Sequence, residues 1–203
     1  MNLPNKLTLT RIILFPVVVI FIMLRNVPFH WLIAAIVFIA AAITDFLDGR
    51  RARKRGIVTD FGKLMDPIAD KLLVISAFVA LVAVDMPDAA FGRLCSPWVV
   101  IIILAREFTV QSARMIYVER GTVIAANLWG KAKTVIQIIS LVIIFIILFA
   151  LETVLPMLGM DTQPYLTPAS IVITAVTWLS ALVTVISGIT YLWKCRDLLH
   201  DAK

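Results

Sequence analysis

The segment Thr44–Lys71 reads TDFLDGRRARKRGIVTDFGKLMDPIADK, and the organisation of the chain unfolds from it. An apolar run, Trp31–Leu47, leads into it, and another, Met65–Val84, leads out. Asp45 and Asp48 close the first run at i, i+3. Asp66 and Asp70 open the second at i, i+4. Both spacings put the paired carboxylates on one helix face. Between them lie Arg50, Arg51, Arg53, Lys54, Arg55 and Lys63. The pattern predicts two antiparallel membrane helices joined by a charged loop, Gly49–Leu64, with four acids gathered at one membrane face.

The rest of the chain extends this pattern. Its 203 residues are 61% hydrophobic, with a mean hydropathy of +0.98, well above the apolar share of a soluble domain. Four further runs are long enough to span, about Leu7–Leu24, Trp98–Met115, Val135–Leu155 and Pro168–Trp193. No polar stretch divides the chain, so residues 1–203 read as one domain. The expected fold is all-α and polytopic, with six transmembrane helices. Pro4 favours a helix start, and Pro16 is a candidate kink in the first span. The first apolar run is long and lacks a small-residue cleavage site, so no cleavable signal is expected.

Orientation follows from the basic residues. Only Arg25 and Arg93 of the 19 Lys and Arg fall on one side. The positive-inside rule places both termini and the Gly49–Leu64 loop in the cytoplasm, with the chain in the cell membrane. The net charge of +6 then suits anionic headgroups and phosphate substrates, and no nucleic-acid partner is expected. Asp85, Asp88 and Asp161 read as solvated outer connectors. Cys95 and Cys195 fall on opposite faces, which argues against a disulfide, and no CxxC pattern suggests zinc.

Four carboxylates at a bundle mouth are costly. Insertion scales put one Asp at a helix centre at roughly 2.5–3.5 kcal/mol, and mutual repulsion adds to that near the interface. A bound cation offsets the cost. All-oxygen donors without His or Cys favour Mg²⁺, Mn²⁺ or Ca²⁺, and two such ions would polarise phosphate oxygens. Gly49 directly follows Asp48, where the helix is expected to end or turn. Gly62 and Ala52 give a bulky ligand room, and Arg53 can reach a phosphate or ribose. His30 and His200 look like bystanders.

Set out in order, these residues are Asp45-x2-Asp48-Gly49-x2-Ala52-Arg53-x8-Gly62-x3-Asp66-x3-Asp70. The series resembles the signature of the CDP-alcohol phosphatidyltransferases at every position. Within that family the chain is most similar to the bacterial phosphatidylglycerophosphate synthases. The similarity lies in Asn2-Leu3-Pro4-Asn5 with Leu7-Thr8 and Arg11, in Met65–Lys71, in Arg106-Glu107-Phe108 and in Gly130–Thr134. The resemblance implies an enzyme that takes CDP-diacylglycerol and sn-glycerol 3-phosphate to phosphatidylglycerol phosphate and CMP, a step of phospholipid biosynthesis. It implies Asp45, Asp48, Asp66 and Asp70 as ligands of Mg²⁺ or Mn²⁺, Asp70 also as general base, and a homodimer. Asp48, Gly49, Ala52, Arg53, Gly62 and Asp66 would line the CDP site.

The acceptor's phosphate needs cations. Arg106 lies within an apolar segment, where an ionisable residue is a functional candidate. The alternative is a buried pair with Glu107, which does not share its helix face. Lys131 and Lys133, at the start of the fifth span, are further candidates, with lipid-headgroup anchoring as the alternative. Arg114 is a weaker one, and Asn5, Thr8 and Arg11 are candidate headgroup contacts. Competing readings are another acceptor (phosphatidylglycerol, serine or an inositol phosphate), a lipid phosphatase, and a divalent-cation transporter. A transporter needs polar groups across the whole membrane, and the outer halves of these helices read as almost purely apolar.

Overall fold

The computed structural model describes the backbone at residues 3–55, 60–86, 92–119 and 128–196, and side chains at 10, 12–44, 71–86, 92–118 and 128–196. Long helices dominate: α1 (Leu3–Met23), α2 (His30–Arg55), α3 (Asp60–Val82), α4 (Pro97–Glu119), α5 (Leu128–Phe149) and α6 (Gln163–Lys194). α5 continues through a π-helical stretch, Ala150–Val154, into a last turn, Leu155–Met157. Pro156 explains the widened turn. It lacks an N–H, and its ring crowds the carbonyl four residues back, so the ladder shifts register before it. No strand occurs among the described residues beyond one isolated bridge, Asp85 to Arg93.

Among the described residues, two helical stretches, Leu128–Met157 and Gln163–Lys194, are long and apolar enough to cross a membrane. Shorter apolar runs cover Ile12–Met23, His30–Thr44 and Lys71–Val82. Large apolar side chains such as Ile13, Ile36, Phe108, Ile146, Leu182 and Trp193 point outward and are exposed. Such a coat suits lipid and would be costly in water.

α1 packs on α2 and α3, α6 on α4 and α5, and α2 on α5. Trp31, Phe38 and Phe145, all fully buried, lock α2 to α5. Phe145 meets Trp31 at 6.2 Å and stands edge-on to Phe38 at 5.8 Å. Ala34, Ala35 and Ala41 share that buried stripe of α2, and small side chains let helices approach closely. A polar seam joins α5 to α6. Ser180 donates to Ser140 at 2.8 Å, Ser140 to the Val176 carbonyl at 3.2 Å, and Gln137 to Thr184 at 3.0 Å. The outer half of α6 is therefore less apolar than the sequence suggests. Its inward hydroxyls at Ser170 and Thr177 bond carbonyls one turn back, which satisfies them within the helix.

Two expectations are corrected. α2 does not end at Gly49: it runs on to Arg55. At 26 residues it is ~39 Å long against a ~30 Å hydrocarbon layer, so its last turns would project beyond. α3 starts at Asp60, ahead of Met65, so the Gly49–Leu64 loop is mostly helix, with residues 56–59 between the two. The helix start expected at Pro4 agrees with α1, which begins at Leu3 and includes Pro16.

His30 is also more than a bystander to the fold. It is buried, its Nδ1 lies 3.0 Å from the Phe21 carbonyl and its Nε2 3.2 Å from Glu152 in the π stretch. It ties α1, α2 and the end of α5 together. Asp85 and Asp161 are exposed, as expected of solvated connectors. Arg25 donates to the Asp85 carbonyl at 3.1 Å and Arg93 to the Val82 carbonyl at 3.3 Å. Asp161 caps α6 by accepting the Gln163 N–H at 3.0 Å. Asp88 and His200 lie outside the described residues. Cys95 and Cys195 are both buried and not disulfide-bonded.

Candidate active site

The end of the bundle opposite His30 holds a cavity of about 270 Å³. Lys71 reaches it from the middle of α3, Arg106 from the middle of α4 and Arg114 from its later part, Lys131 and Lys133 from the start of α5, and Ser187 and Tyr191 from late α6. Among the described residues, five cationic side chains thus face one acid, Glu107. All three predicted acceptor-site cations, Arg106, Lys131 and Lys133, line the same space, and Arg114 joins them.

Glu107 organises the cluster. Its carboxylate is buried and receives Arg106 Nη1 at 3.0 Å, Lys71 Nζ at 3.8 Å and Lys133 Nζ in close contact. Arg106 and Glu107 do pair, despite pointing about 100° apart around the helix. Their long side chains bend together over the cavity. Lys71 also donates to Gln111, one turn after Glu107. A carboxylate shared by three cations limits their mutual repulsion, and the described lining carries more positive than negative charge.

Arg106 is framed by α6. Its Nη2 donates to Ser187 Oγ at 2.7 Å, and Gly188 lies against its stem. Its Nε and the Tyr191 hydroxyl are buried without a hydrogen-bond partner among the described residues. Lys133 is buried, while Lys131 and Arg114 are exposed at the rim. The arrangement can take a compact, multiply charged anion by charge-assisted hydrogen bonds.

The sequence missed Lys71, Glu107 as hub, Gln111, Ser187, Gly188 and Tyr191. One signal was available. Ser180, Thr184, Ser187 and Tyr191 recur at i, i+4, i+7 and i+11, a polar stripe in an apolar helix.

The predicted donor and metal residues fall elsewhere in the description. Asp45, Asp48, Gly49, Ala52 and Arg53 are in α2, and Gly62, Asp66 and Asp70 in α3. Asn5, Thr8 and Arg11 are in α1. The side chains at all eleven positions lie outside the described residues. The four aspartates occupy regular helix on both sides of one short connection, and α2 contacts α3. An all-carboxylate donor set of this kind fits a hard divalent cation.

Comparison with known proteins bears on the whole chain. Residues 1–186 match the model of the CDP-alcohol phosphatidyltransferases. A Bacillus subtilis protein named CDP-diacylglycerol–glycerol-3-phosphate 3-phosphatidyltransferase is 44% identical over 153 residues, 68% of this chain and 74% of the relative. A Rickettsia typhi protein of the same name is 34% identical over 195 residues, 96% of this chain and 97% of its own length. A Mycobacterium tuberculosis protein named probable phosphatidylglycerophosphate synthase is 34% identical over 201 residues, 97% of this chain and 83% of the relative. With an all-helical bundle, the aspartate series in α2 and α3, and a match over almost its full length, the chain belongs to the CDP-alcohol phosphatidyltransferase family.

Proposed function

We propose that the protein transfers the phosphatidyl group of CDP-diacylglycerol to sn-glycerol 3-phosphate, giving phosphatidylglycerol phosphate and CMP. The observation that carries the acceptor is the cavity beside Lys71, where five cations face one carboxylate among the described residues. An acceptor bearing a phosphate monoester needs such a site. A serine-using enzyme has no comparable use for it. The names of the relatives support the same reading.

In this reading residues 1–203 form one membrane domain, with six spans, both termini and the cavity on the cytoplasmic side of the cell membrane, and the protein acts as a homodimer. Asp45, Asp48, Asp66 and Asp70 would hold Mg²⁺ or Mn²⁺, two ions in all. The ions would neutralise the pyrophosphate of the donor and stabilise departing CMP. Gly49, Ala52, Arg53 and Gly62 border the CDP moiety, and Asn5, Thr8 and Arg11 lie near the donor headgroup. Arg106, Lys131 and Lys133 hold the acceptor phosphate, which fixes the glycerol hydroxyl for attack. Asp70 takes that hydroxyl's proton as the oxygen bonds to the β-phosphorus and the bond to CMP breaks. Asp70 directly precedes Lys71, so its backbone lies beside the cavity. An all-apolar groove of about 320 Å³ between α2 and α5, lined by Ile39, Ile43 and Val142 among others, suits an acyl chain.

The test follows CMP release and lipid product from purified protein in detergent with CDP-diacylglycerol and Mg²⁺ or Mn²⁺. Glycerol 3-phosphate is compared with serine, inositol phosphate and phosphatidylglycerol. Turnover with glycerol 3-phosphate alone, abolished by chelator and by Asp70→Asn, is expected. Turnover only with another acceptor would overturn the acceptor assignment.

A further inference from the structure

Two polar groups in the cavity lack partners among the described residues, and they sit on facing helices. Arg106 gives Nη1 to Glu107 and Nη2 to Ser187, and its Nε has no partner among the described residues. Tyr191 is buried, with an exposure of 4%, and its hydroxyl also has no partner among the described residues. Both residues line the same cavity. A buried hydroxyl is ordinarily paired, because leaving it unpaired forfeits its hydrogen bonds to water. Two orphans on residues that line one cavity, among cations, point to a ligand that completes them.

We propose that Tyr191 is a binding residue for the acceptor, its O–H donating to an oxygen of the acceptor's phosphate group alongside Arg106 Nε. This rests on the reading that the cavity holds glycerol 3-phosphate. The chemistry is one-sided. A phosphate dianion offers only acceptors, and Arg106 Nε offers only a donor. Tyr191 can supply the second donor from the other wall. Lys133 and Arg106 bring charge, which any anion satisfies. The phenol brings direction, since its O–H is fixed by a buried ring. That favours a phosphate monoester with a free oxygen over a carboxylate or a bulkier diester.

Tyr191→Phe removes one oxygen and keeps the ring. Thermal unfolding of the purified full-length chain in detergent would be followed with no addition, with inorganic phosphate, with glycerol 3-phosphate and with glycerol. Wild type should be stabilised by phosphate and glycerol 3-phosphate and unaffected by glycerol. The variant should unfold no earlier than wild type when unliganded, and should bind both phosphates roughly tenfold more weakly. Its KM for glycerol 3-phosphate should rise by the same factor with kcat nearly unchanged, the mark of a contact kept from ground state to transition state.

A variant that unfolds earlier while keeping the full phosphate shift would make the hydroxyl structural and sink the proposal. A loss seen with glycerol 3-phosphate and absent with inorganic phosphate would move the contact to the glycerol and overturn the phosphate assignment. A wild type unmoved by either phosphate would instead remove the acceptor reading of the cavity. Tyr191→Leu, which also removes the ring's packing, should fall below Tyr191→Phe in stability.

Discussion

Gly188 on α6 leaves room for the stem of Arg106 on α4: a Cβ at position 188 would stand 2.9 Å from Arg106 Cγ. The far end of Arg106 is held by Glu107 and Ser187, so the stem cannot swing aside freely. Gly188→Ala should therefore displace the guanidinium. The expected cost is about 1–3 kcal/mol from overpacking, with KM for glycerol 3-phosphate raised about tenfold. Gly130 in α5 makes the contrast, since a Cβ there meets nothing within 4 Å. Gly130→Ala should stabilise by about 0.5 kcal/mol through helix propensity. Thermal unfolding of the two variants in detergent compares them directly.

Glu107→Gln should destabilise more than either. It removes the one carboxylate that Lys71, Arg106 and Lys133 share and leaves three cations crowded at a buried site. Losing one partner of a buried pair costs roughly 3–5 kcal/mol. Inorganic phosphate should restore part of the loss by substituting its charge. A melting temperature equal to wild type without phosphate would show that the cations do not depend on Glu107.

How much of this was legible in the sequence differs by element. Apolar runs located every long helix, because membrane length is written in composition. The ends of α2 and α3 were misjudged for local reasons. Gly49 was read as a stop, yet glycine within a helix costs only ~1 kcal/mol, and the following Arg-Arg-Ala-Arg-Lys-Arg is rich in good helix formers. Asp60 opens α3 with a first-turn acid, which suits the positive helix end. The cavity was half legible. Arg106, Lys131 and Lys133 stood out as charges against apolar surroundings. Tyr191 and Gly188 did not, because their meaning depends on α6 meeting α4, more than 80 positions apart in the chain.

Cys95 should resist thiol reagents. Burial beside α4 pushes its thiol up to about 12 from an ordinary 9.0. A reagent attacks the thiolate, so at pH 7.5 the reactive fraction falls roughly a thousandfold on folding. Mass spectrometry of the Cys95 peptide after maleimide treatment should show little modification until the protein is unfolded. The sign of the linkage follows: the folded state holds the proton more tightly. Its contribution to stability is full below pH 9 and is lost as pH rises toward 12.

Thr184→Val tests the seam between α5 and α6. The change keeps shape and removes the acceptor of the Gln137 amide at 3.0 Å. Interhelical hydrogen bonds of this kind average ~0.6 kcal/mol and reach ~1.7. A loss near 1 kcal/mol is expected in detergent unfolding, with Thr184→Ser nearly neutral because it keeps the hydroxyl. A loss equal in both variants would assign the effect to packing.

Lys131 and Lys133 should separate sharply, although two positions and one charge type are all that distinguish them in the sequence. Lys133 is buried at 8% exposure and touches Glu107, whereas Lys131 is exposed at the cavity rim. A charge in water interacts weakly with a phosphate a few ångströms away, and salt screens it further. The same charge in a desolvated wall is screened little. Lys131→Gln should therefore raise KM for glycerol 3-phosphate only about threefold, an effect that fades as ionic strength rises. Lys133→Gln should raise it about thirtyfold or more at any salt concentration, because a charge-assisted hydrogen bond is lost as well. KM measured for both variants across a salt series decides the matter. Equal, salt-sensitive effects would mean that both lysines act as diffuse surface charge, and that the phosphate is held by Arg106 and its neighbours on α6.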